Sequence, residues 1–365
     1  MTHFTETIKA AAVHSAAPFL DLDASVELAI DYIQQAGREG AHIIAFPETY
    51  LPGYPYWIWS HTSKRSAAFY AELFQNSVDL NGPASQALAD AARKAGLWVV
   101  MGMNEREGGT LYNTQAYYSP QGTLAARHRK LQPTNAERTV WGRGDGRDVF
   151  TIDTGKARLG GLICFEHSMD LNRYALSALN QQIHVAAWPA ISATHADPNA
   201  SKFDHFSFTL SAAHAISAQT FVIVTQGRIS QEIIDRLDVQ NPEDVPTLGG
   251  GQSGFLAPDG TWLTEPHRDE EAIIYADLDM GMIPFAKFFA DGAGHYARPD
   301  VFSFGVNQTP QVPFTPQGPV EVNTHVHTAP SGRLPMQQPP HQNANDEIGS
   351  ILSPPAALGS DTDSP

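Results

Sequence analysis

Between Ile8 and about Val301, short apolar runs rich in β-branched residues alternate with longer segments whose apolar residues recur at helical spacing. Near-continuous apolar strands must be covered on both faces, and the intervening helices can supply that cover, so the alternation restricts the chain to an α/β fold with buried strands. Ten runs read as strands: Lys9–Val13, His42–Phe46, Trp98–Met103, Leu111–Ser119, Gly122–Arg129, Ala157–Cys164, His184–Trp188, Phe221–Thr225, Gly254–Ala257 and Ala272–Asp277. Asp23 is expected to cap a helix whose apolar residues Val26, Leu28, Ile30 and Ile33 end before Gly37. A second helix is expected from Ser85 to Lys94, closed by Gly96, and a third from about Lys202 to Ala218. There is no internal repeat at a period of about 20–50 residues.

The last sixty residues are of another kind. Eleven of the 26 prolines lie between Pro310 and Pro365, mixed with Gln, Asn, Ser and Thr. Such a stretch buries too little apolar surface to offset its ordering entropy. The expected organisation is therefore one domain over residues 1–304 and a Pro-rich, disordered tail over 305–365. Composition narrows the function. The 365 residues are 42% apolar and 17% charged, enough for a large core, and the net charge of −16 argues against phosphate backbones or anionic lipid as partners. Cys164 is the only cysteine, which excludes a disulfide within the chain and a multi-cysteine metal cluster, and fits a reducing compartment. Residues 1–20 lack the basic and then apolar layout of a secretory leader, and no run approaches the roughly 18 apolar residues of a membrane span. The expectation is a cytoplasmic protein with neither nucleic acid nor membrane as partner.

Three segments carry chemistry. Cys164 ends the run Ala157-Arg-Leu-Gly-Gly-Leu-Ile-Cys, after which Phe165-Glu-His-Ser-Met-Asp-Leu-Asn changes to helical spacing. A thiol at a strand-to-helix turn lies near backbone N–H groups that favour a thiolate and can hold an oxyanion, although a lone cysteine is more often a small buried hydrophobe. In Ile43-Ile-Ala-Phe-Pro-Glu-Thr-Tyr, a buried strand delivers Glu48. Apolar walls there would raise its pKa toward general-base work, whereas the bland reading is a surface turn acid. In Arg127-His-Arg-Lys-Leu-Gln-Pro-Thr-Asn-Ala-Glu, Lys130 closes an alternating strand and Glu137 follows in a loop or helical turn. A basic run is usually a solvated edge, but a lysine beside a base and a thiol can stabilise developing negative charge.

Taken together, Glu48, Lys130 and Cys164 resemble the Glu-Lys-Cys triad of the nitrilase superfamily of carbon–nitrogen hydrolases. The resemblance extends through Phe46-Pro-Glu, Arg129-Lys-Leu-Gln-Pro-Thr, Trp141-Gly, Cys164-Phe-Glu-His, Ala187-Trp-Pro and His295-Tyr-Ala-Arg-Pro-Asp-Val, over about residues 5–303. The Glu-His pair after the cysteine and the Pro-Gly-Tyr-Pro-Tyr segment are more similar to the true nitrilase branch, arylacetonitrilases included, than to the amidases. The resemblance implies a four-layer α-β-β-α sandwich and hydrolysis of an aromatic or arylaliphatic nitrile to carboxylic acid and ammonia, with no metal or organic cofactor. It implies Glu48 as base, Cys164 as nucleophile, Lys130 with the Phe165 backbone N–H as anion stabilisers, and Glu137 as a further glutamate that positions Lys130 or assists proton transfer. Tyr54, Phe165, His167, Trp188 and Pro189 are the implied substrate-shaping residues, while Trp57 and Trp59 read equally as packing. It also implies small-molecule nitrile and water as partners and a homodimer or larger homo-oligomer such as a spiral filament. Two departures stand out: Phe165 replaces a common tryptophan, and Met169-Asp-Leu-Asn differs from the expected continuation. The alternatives are an amidase, a cyanide hydratase or dihydratase, and a non-catalytic filament-forming scaffold.

Three other signals are set aside. Gly249-Gly-Gly-Gln-Ser-Gly formally fits a dinucleotide fingerprint but precedes a strand-like hairpin instead of opening a helix. His195, His205 and His214 lack a compact ligand spacing, and Asn199-Ala-Ser fits a glycosylation acceptor only by chance.

Overall fold

The structure is a computed structural model that describes residues 4–191, 201–241, 244–268 and 270–311. The N-terminal apolar runs form β1 (Thr7–His14), β2 (Ile43–Ala45), β3 (Trp98–Glu107), β4 (Thr110–Tyr118) and β5 (Leu124–Arg129), which join β11 (Ala272–Asp279) in a six-stranded sheet. Its order is β11-β1-β2-β3-β4-β5. A five-stranded sheet contains β6 (Ile152–Asp153), β7 (Arg158–Ile163), β8 (Ile183–Trp188), β9 (Phe221–Gln226) and β10 (Gly254–Leu256), in the order β10-β9-β8-β7-β6. The central strands β1, β2 and β3 are parallel, as are β7, β8 and β9, and both sheets finish in antiparallel edges. All ten expected strands are present. The eleventh, β6, has two residues and therefore too little length to show a pattern.

The helices are α1 (Leu22–Arg38), α2 (Ser63–Gln75), α3 (Pro83–Ala95), α4 (Asp170–Ala178), α5 (Ser201–Ala218), α6 (Gln231–Leu237) and α7 (Met282–Phe289). Two expectations about α1 are corrected. Its cap is Asp21, whose Oδ1 accepts the Ala24 N–H at 3.0 Å, while Asp23 lies in the first turn, where its charge meets the positive helix end. Gly37 lies inside the helix and does not end it. A Cβ there would stand 2.8 Å from the Ala95 Cβ, so the glycine lets α1 and α3 approach closely. Gly96 closes α3 at φ 70°, the left-handed conformation expected of it.

Alternation along the strands sorts the layers. Ala11, Val13, Ile44, Val99 and Met101 pack against Ala29 and Ile33 of α1 and Leu88 and Ala92 of α3. Their neighbours Ala10, Ala12, Ile43, Ala45 and Val100 face the second sheet, where they meet Leu159, Ile183, Val185, Phe221 and Ile223. The outer face of that sheet places Ile163, Ala186, Val222 and Val224 against Phe203, Ala212 and Ala215 of α5. The result is the four-layer α-β-β-α sandwich. Each fully buried Val, Leu or Ile contributes about 1.5–3 kcal/mol of apolar burial, so the two-sided cover of both sheets is what stabilises this arrangement.

The Gly249–Gly254 segment leads into β10, whose Leu256 pairs with Trp262 across a turn at Gly260, in keeping with the hairpin reading. Beyond Phe304 the chain continues along the body to Gln311, whose N–H donates to Asp145 Oδ2. The rest of the Pro-rich segment, His195 and Asn199 lie outside the described residues. Among the described residues no helix is long and apolar enough to cross a membrane.

Strand direction prepares the site. Since β3–β4 and β4–β5 are both antiparallel, β5 runs the same way as β2, and the segments after β2 and β5 leave the first sheet at the same end. The turn after β2 also lies directly on β3. A Cβ at Gly102 would stand 1.8 Å from the Pro47 carbonyl oxygen and 2.9 Å from the Thr49 nitrogen. Gly102→Ala is therefore expected to destabilise the fold by about 1–3 kcal/mol, since the overlap is with backbone that has no rotamer to yield. Denaturant unfolding checks this; an unchanged midpoint would mean that the turn is free to move.

Candidate active site

Three strand ends deliver three side chains to one buried point. Glu48 follows β2 in a turn whose next residue, Thr49, has φ 46°. Lys130 follows β5 directly, its N–H held by the Asn113 carbonyl at 2.8 Å and its carbonyl accepting the Gly144 N–H at 2.9 Å. Cys164 follows β7 and opens a 3₁₀ turn, Cys164–Ser168, with φ 53°. A left-handed backbone at a non-glycine residue costs on the order of 1–3 kcal/mol and persists only where its surroundings impose it. Here it turns the thiol inward at the end of its strand.

The three groups are almost completely buried, as is Glu137. The Lys130 ammonium donates to Glu48 Oε1 at 2.8 Å and to Glu137 Oε2 at 2.7 Å. One carboxylate oxygen of each glutamate and the Cys164 sulfur lie within 4.8 Å of one another. Such a trio has the donor types of a metal site, but Lys130 already supplies the cation between the two carboxylates. Burial raises the Glu48 pKa to about 7, with Lys130 opposing the rise and Glu137 adding to it. Burial alone would lower Lys130, yet Glu137 and Glu48 hold it well above its ordinary value. Burial and the Glu48 charge push the Cys164 thiol well up, against Lys130 and the Phe165 backbone N–H directed at it. The resting centre thus holds a neutral thiol beside a carboxylate of near-neutral pKa and a permanent ammonium. That arrangement suits proton removal from sulfur during attack.

Glu137 sits on the 3₁₀ turn Asn135–Thr139, where its Oε2 also accepts the Thr134 N–H at 2.7 Å. Its Oε1 accepts the Tyr54 hydroxyl at 2.8 Å. Tyr54 is therefore tied to the centre through Glu137, with its ring against Tyr56 and Trp141. Phe165 is half-buried among Trp188, Phe203 and Phe206. Trp188 is fully buried and stacks on His167, with ring centroids 4.9 Å apart. His167 has protein partners on both ring nitrogens: Nδ1 donates to the Cys164 carbonyl at 2.7 Å and Nε2 pairs with His184 at 2.9 Å. Pro189 is buried, and its carbonyl accepts from Gln226 at 3.0 Å. Trp57 stacks on Phe69 within a cluster that includes Tyr54 and Trp141, and Trp59 packs at its edge.

The sequence profile of the carbon–nitrogen hydrolase family matches residues 9–288, most of the chain. The chain belongs to the carbon–nitrogen hydrolase family. An aliphatic nitrilase of Rhodococcus rhodochrous is 38% identical over 92% of this chain and 92% of its own length. An arylacetone-specific nitrilase of Alcaligenes faecalis is 38% identical over 80% of this chain and 83% of its own. Among solved structures, a carbon–nitrogen hydrolase of Helicobacter pylori shares the fold with a TM-score of 0.67 at 17% identity, covering 81% of this chain and 97% of that one.

Two groups of residues in this hydrolase escaped sequence reasoning. Asn113, in the middle of β4, donates through Nδ2 to Glu48 Oε1 at 2.6 Å. The only signal in the sequence was an amide placed within an otherwise buried strand. Glu166, two residues after the nucleophile, is also fully buried. Its Oε1 accepts the Leu131 N–H at 2.7 Å, and its Oε2 accepts the Ile163 N–H and His128 Nε2, both at 2.8 Å. One carboxylate thus ties Leu131, two residues beyond β5 of the first sheet, to Ile163, the last residue of β7 in the second. Burial would lower the His128 pKa, but Glu166 and the Asp148 carbonyl raise it to about 9, while the His128 charge holds Glu166 below its ordinary value against burial.

The sign of the resulting pH dependence follows. A histidine raised on folding adds stability that is complete below its unfolded pKa of about 6.5 and is lost as pH rises through 9. The lowered glutamate adds stability that is present above its unfolded value and lost on acidification. Unfolding free energy of the wild type is expected to fall by roughly 2–3 kcal/mol between pH 6.5 and 9 in excess of any fall in His128→Gln. Parallel urea titrations check this; equal slopes would mean that His128 is uncharged in the folded protein.

Proposed function

We propose that this hydrolase converts an organic nitrile, with an aromatic or arylaliphatic one preferred, to its carboxylic acid and ammonia through covalent intermediates on Cys164. The observation that carries the reading is the buried cluster in which Lys130 bridges Glu48 and Glu137 and the thiol lies within 4.8 Å of both carboxylates, so that the charge and proton needs of the reaction are already matched. Glu48 takes the thiol proton as sulfur attacks the nitrile carbon, and the nitrogen of the former triple bond is protonated to give a thioimidate. Lys130 and the Phe165 N–H stabilise the negative charge that develops. Water activated by Glu48 then adds to the thioimidate carbon, and ammonia leaves to give a thioester. A second water cleaves the thioester, releasing the acid and restoring the thiol. The sum is one nitrile and two waters to one acid and one ammonia. Glu137 holds Lys130 charged and in place throughout.

The two relatives, both nitrilases, support a nitrile as the substrate. The aromatic preference is supported by the half-buried Phe165, which packs edge-on to Trp188 in the apolar cluster that contains Cys164, and by Tyr54, tied to the centre through Glu137. Trp188, Pro189 and His167 then shape the acyl side mainly by holding its walls. We extend the reading to a homo-oligomer, supported by the exposed apolar side chains Leu171 and Ile216 on α4 and α5, and Phe285, Phe288 and Phe289 on α7, and to the cytoplasm, supported by the lone cysteine. The Pro-rich tail over 305–365 would then modulate assembly.

Ammonia and acid release from phenylacetonitrile is the direct test, with phenylacetamide and cyanide in parallel and Cys164→Ala as control. Acid from the nitrile by wild type alone is expected, with an acid limb of kcat/KM near pH 7 set by Glu48. Turnover of only the amide or only cyanide would move the protein to another branch, and activity that survives Cys164→Ala would sink the mechanism. Sedimentation of the full chain and of a chain ending at Gln311 tests the assembly reading; two monomers would overturn it.

A further inference from the structure

Glu48 is held asymmetrically. Its Oε1 accepts two hydrogen bonds, from Asn113 Nδ2 at 2.6 Å and from Lys130 Nζ at 2.8 Å, whereas the equally buried Oε2 has no partner among the described residues. Asn113 is itself buried, on the face of β4 that looks toward the second sheet, and its Oδ1 has no partner. Among the described residues the contact with Glu48 is thus the side chain's one hydrogen bond. The same residue's backbone carbonyl accepts the Lys130 N–H. One strand position therefore fixes the base through its side chain and the lysine through its main chain.

Resting on the nitrilase reading above, we infer that Asn113 is a positioning residue that makes Oε2 the proton-accepting oxygen of Glu48 by occupying Oε1 together with Lys130. With two donors on Oε1, a proton arriving from the thiol or from water goes to Oε2, whose lone pairs are free. Without the amide, Lys130 alone would hold the carboxylate, which could then rotate about its Cγ–Cδ bond and present either oxygen. The groups that face Glu48 are Lys130 after β5, Glu137 on its 3₁₀ turn, Cys164 after β7, and Tyr54 and Tyr56 from the loop after β2. Asn113 is the uncharged group whose removal alters the carboxylate and leaves all of these charges in place. Because its donor favours the ionised carboxylate, losing it raises the Glu48 pKa.

Asn113→Leu removes the donor at similar volume. The expected result is a kcat reduced about 10- to 100-fold, a KM within about threefold of wild type, and an acid limb moved up by about one pH unit. Asn113→Asp, closer still in shape, puts a second carboxylate against Oε1 and is expected to move the limb further in the same direction; it decides the matter alone if the leucine variant does not fold. The rate of alkylation of Cys164 by iodoacetamide against pH gives a readout that needs no nitrile, and the lone cysteine makes it specific. A midpoint displaced in the variants supports the inference even where no nitrile is turned over, and that combination would instead overturn the substrate assignment. A folded variant with wild-type kcat, acid limb and alkylation midpoint overturns the positioning role, whatever the substrate.

Discussion

The ammonium of Lys130, buried between the carboxylates of Glu48 and Glu137, is the interaction on which the rest of the site depends. An unpaired charge at such depth would cost several kcal/mol, so each member of the trio dictates the position of the others. Two carboxylates against one ammonium leave an excess of negative charge, and this excess helps to keep the Glu48 pKa near neutrality. A single compensated pair would have left Glu48 a permanently ionised, weaker base. The supporting bonds follow the same logic. Tyr54 and the Thr134 N–H hold Glu137, and Asn113 holds Glu48, so that the charges are fixed before any substrate arrives.

The scaffold delivers these groups by bringing backbone unusually close. The turn that carries Glu48 lies on Gly102, and a glycine at 161 lets β7 approach the Gln115 and Tyr117 side chains of the facing sheet. Left-handed residues occur at three turns around the site, though not at Lys130: Thr49 after Glu48, Asn135 two residues before Glu137, and Cys164 itself. Strain of this kind is sustained where packing over-determines the backbone. Glu166 supplies part of that constraint, since its carboxylate joins the strand ends of the two sheets beside Lys130 and Cys164, and His167 holds the Cys164 carbonyl from the other side.

Much of the fold was legible in the residues because strands covered on both faces have a composition that few other elements share. The pattern failed where it had no length, as in Ile152–Asp153, and where two residues of one type compete for one task, as with Asp21 and Asp23 at the start of α1. Gly37 was read as a stop because a glycine in a helix is usually one. Its reason for being there is a neighbour, Ala95, far along the chain.

Within the site, the sequence by itself determined the fold class, the strand ends at which Glu48, Lys130 and Cys164 stand, and, through the order and context of those residues, the family. These are properties of local patterning, which a linear string records. Only the tertiary structure decided that both donors to Glu48 meet on Oε1, that Lys130 lies between two carboxylates, and that Glu166 joins the strand ends of the two sheets. Asn113 lies 65 positions from Glu48, and His128 lies 38 from Glu166. The first hydrogen bond joins β4 to the turn after β2 within one sheet, the second crosses from one sheet to the other, and neither proximity has a counterpart in sequence spacing.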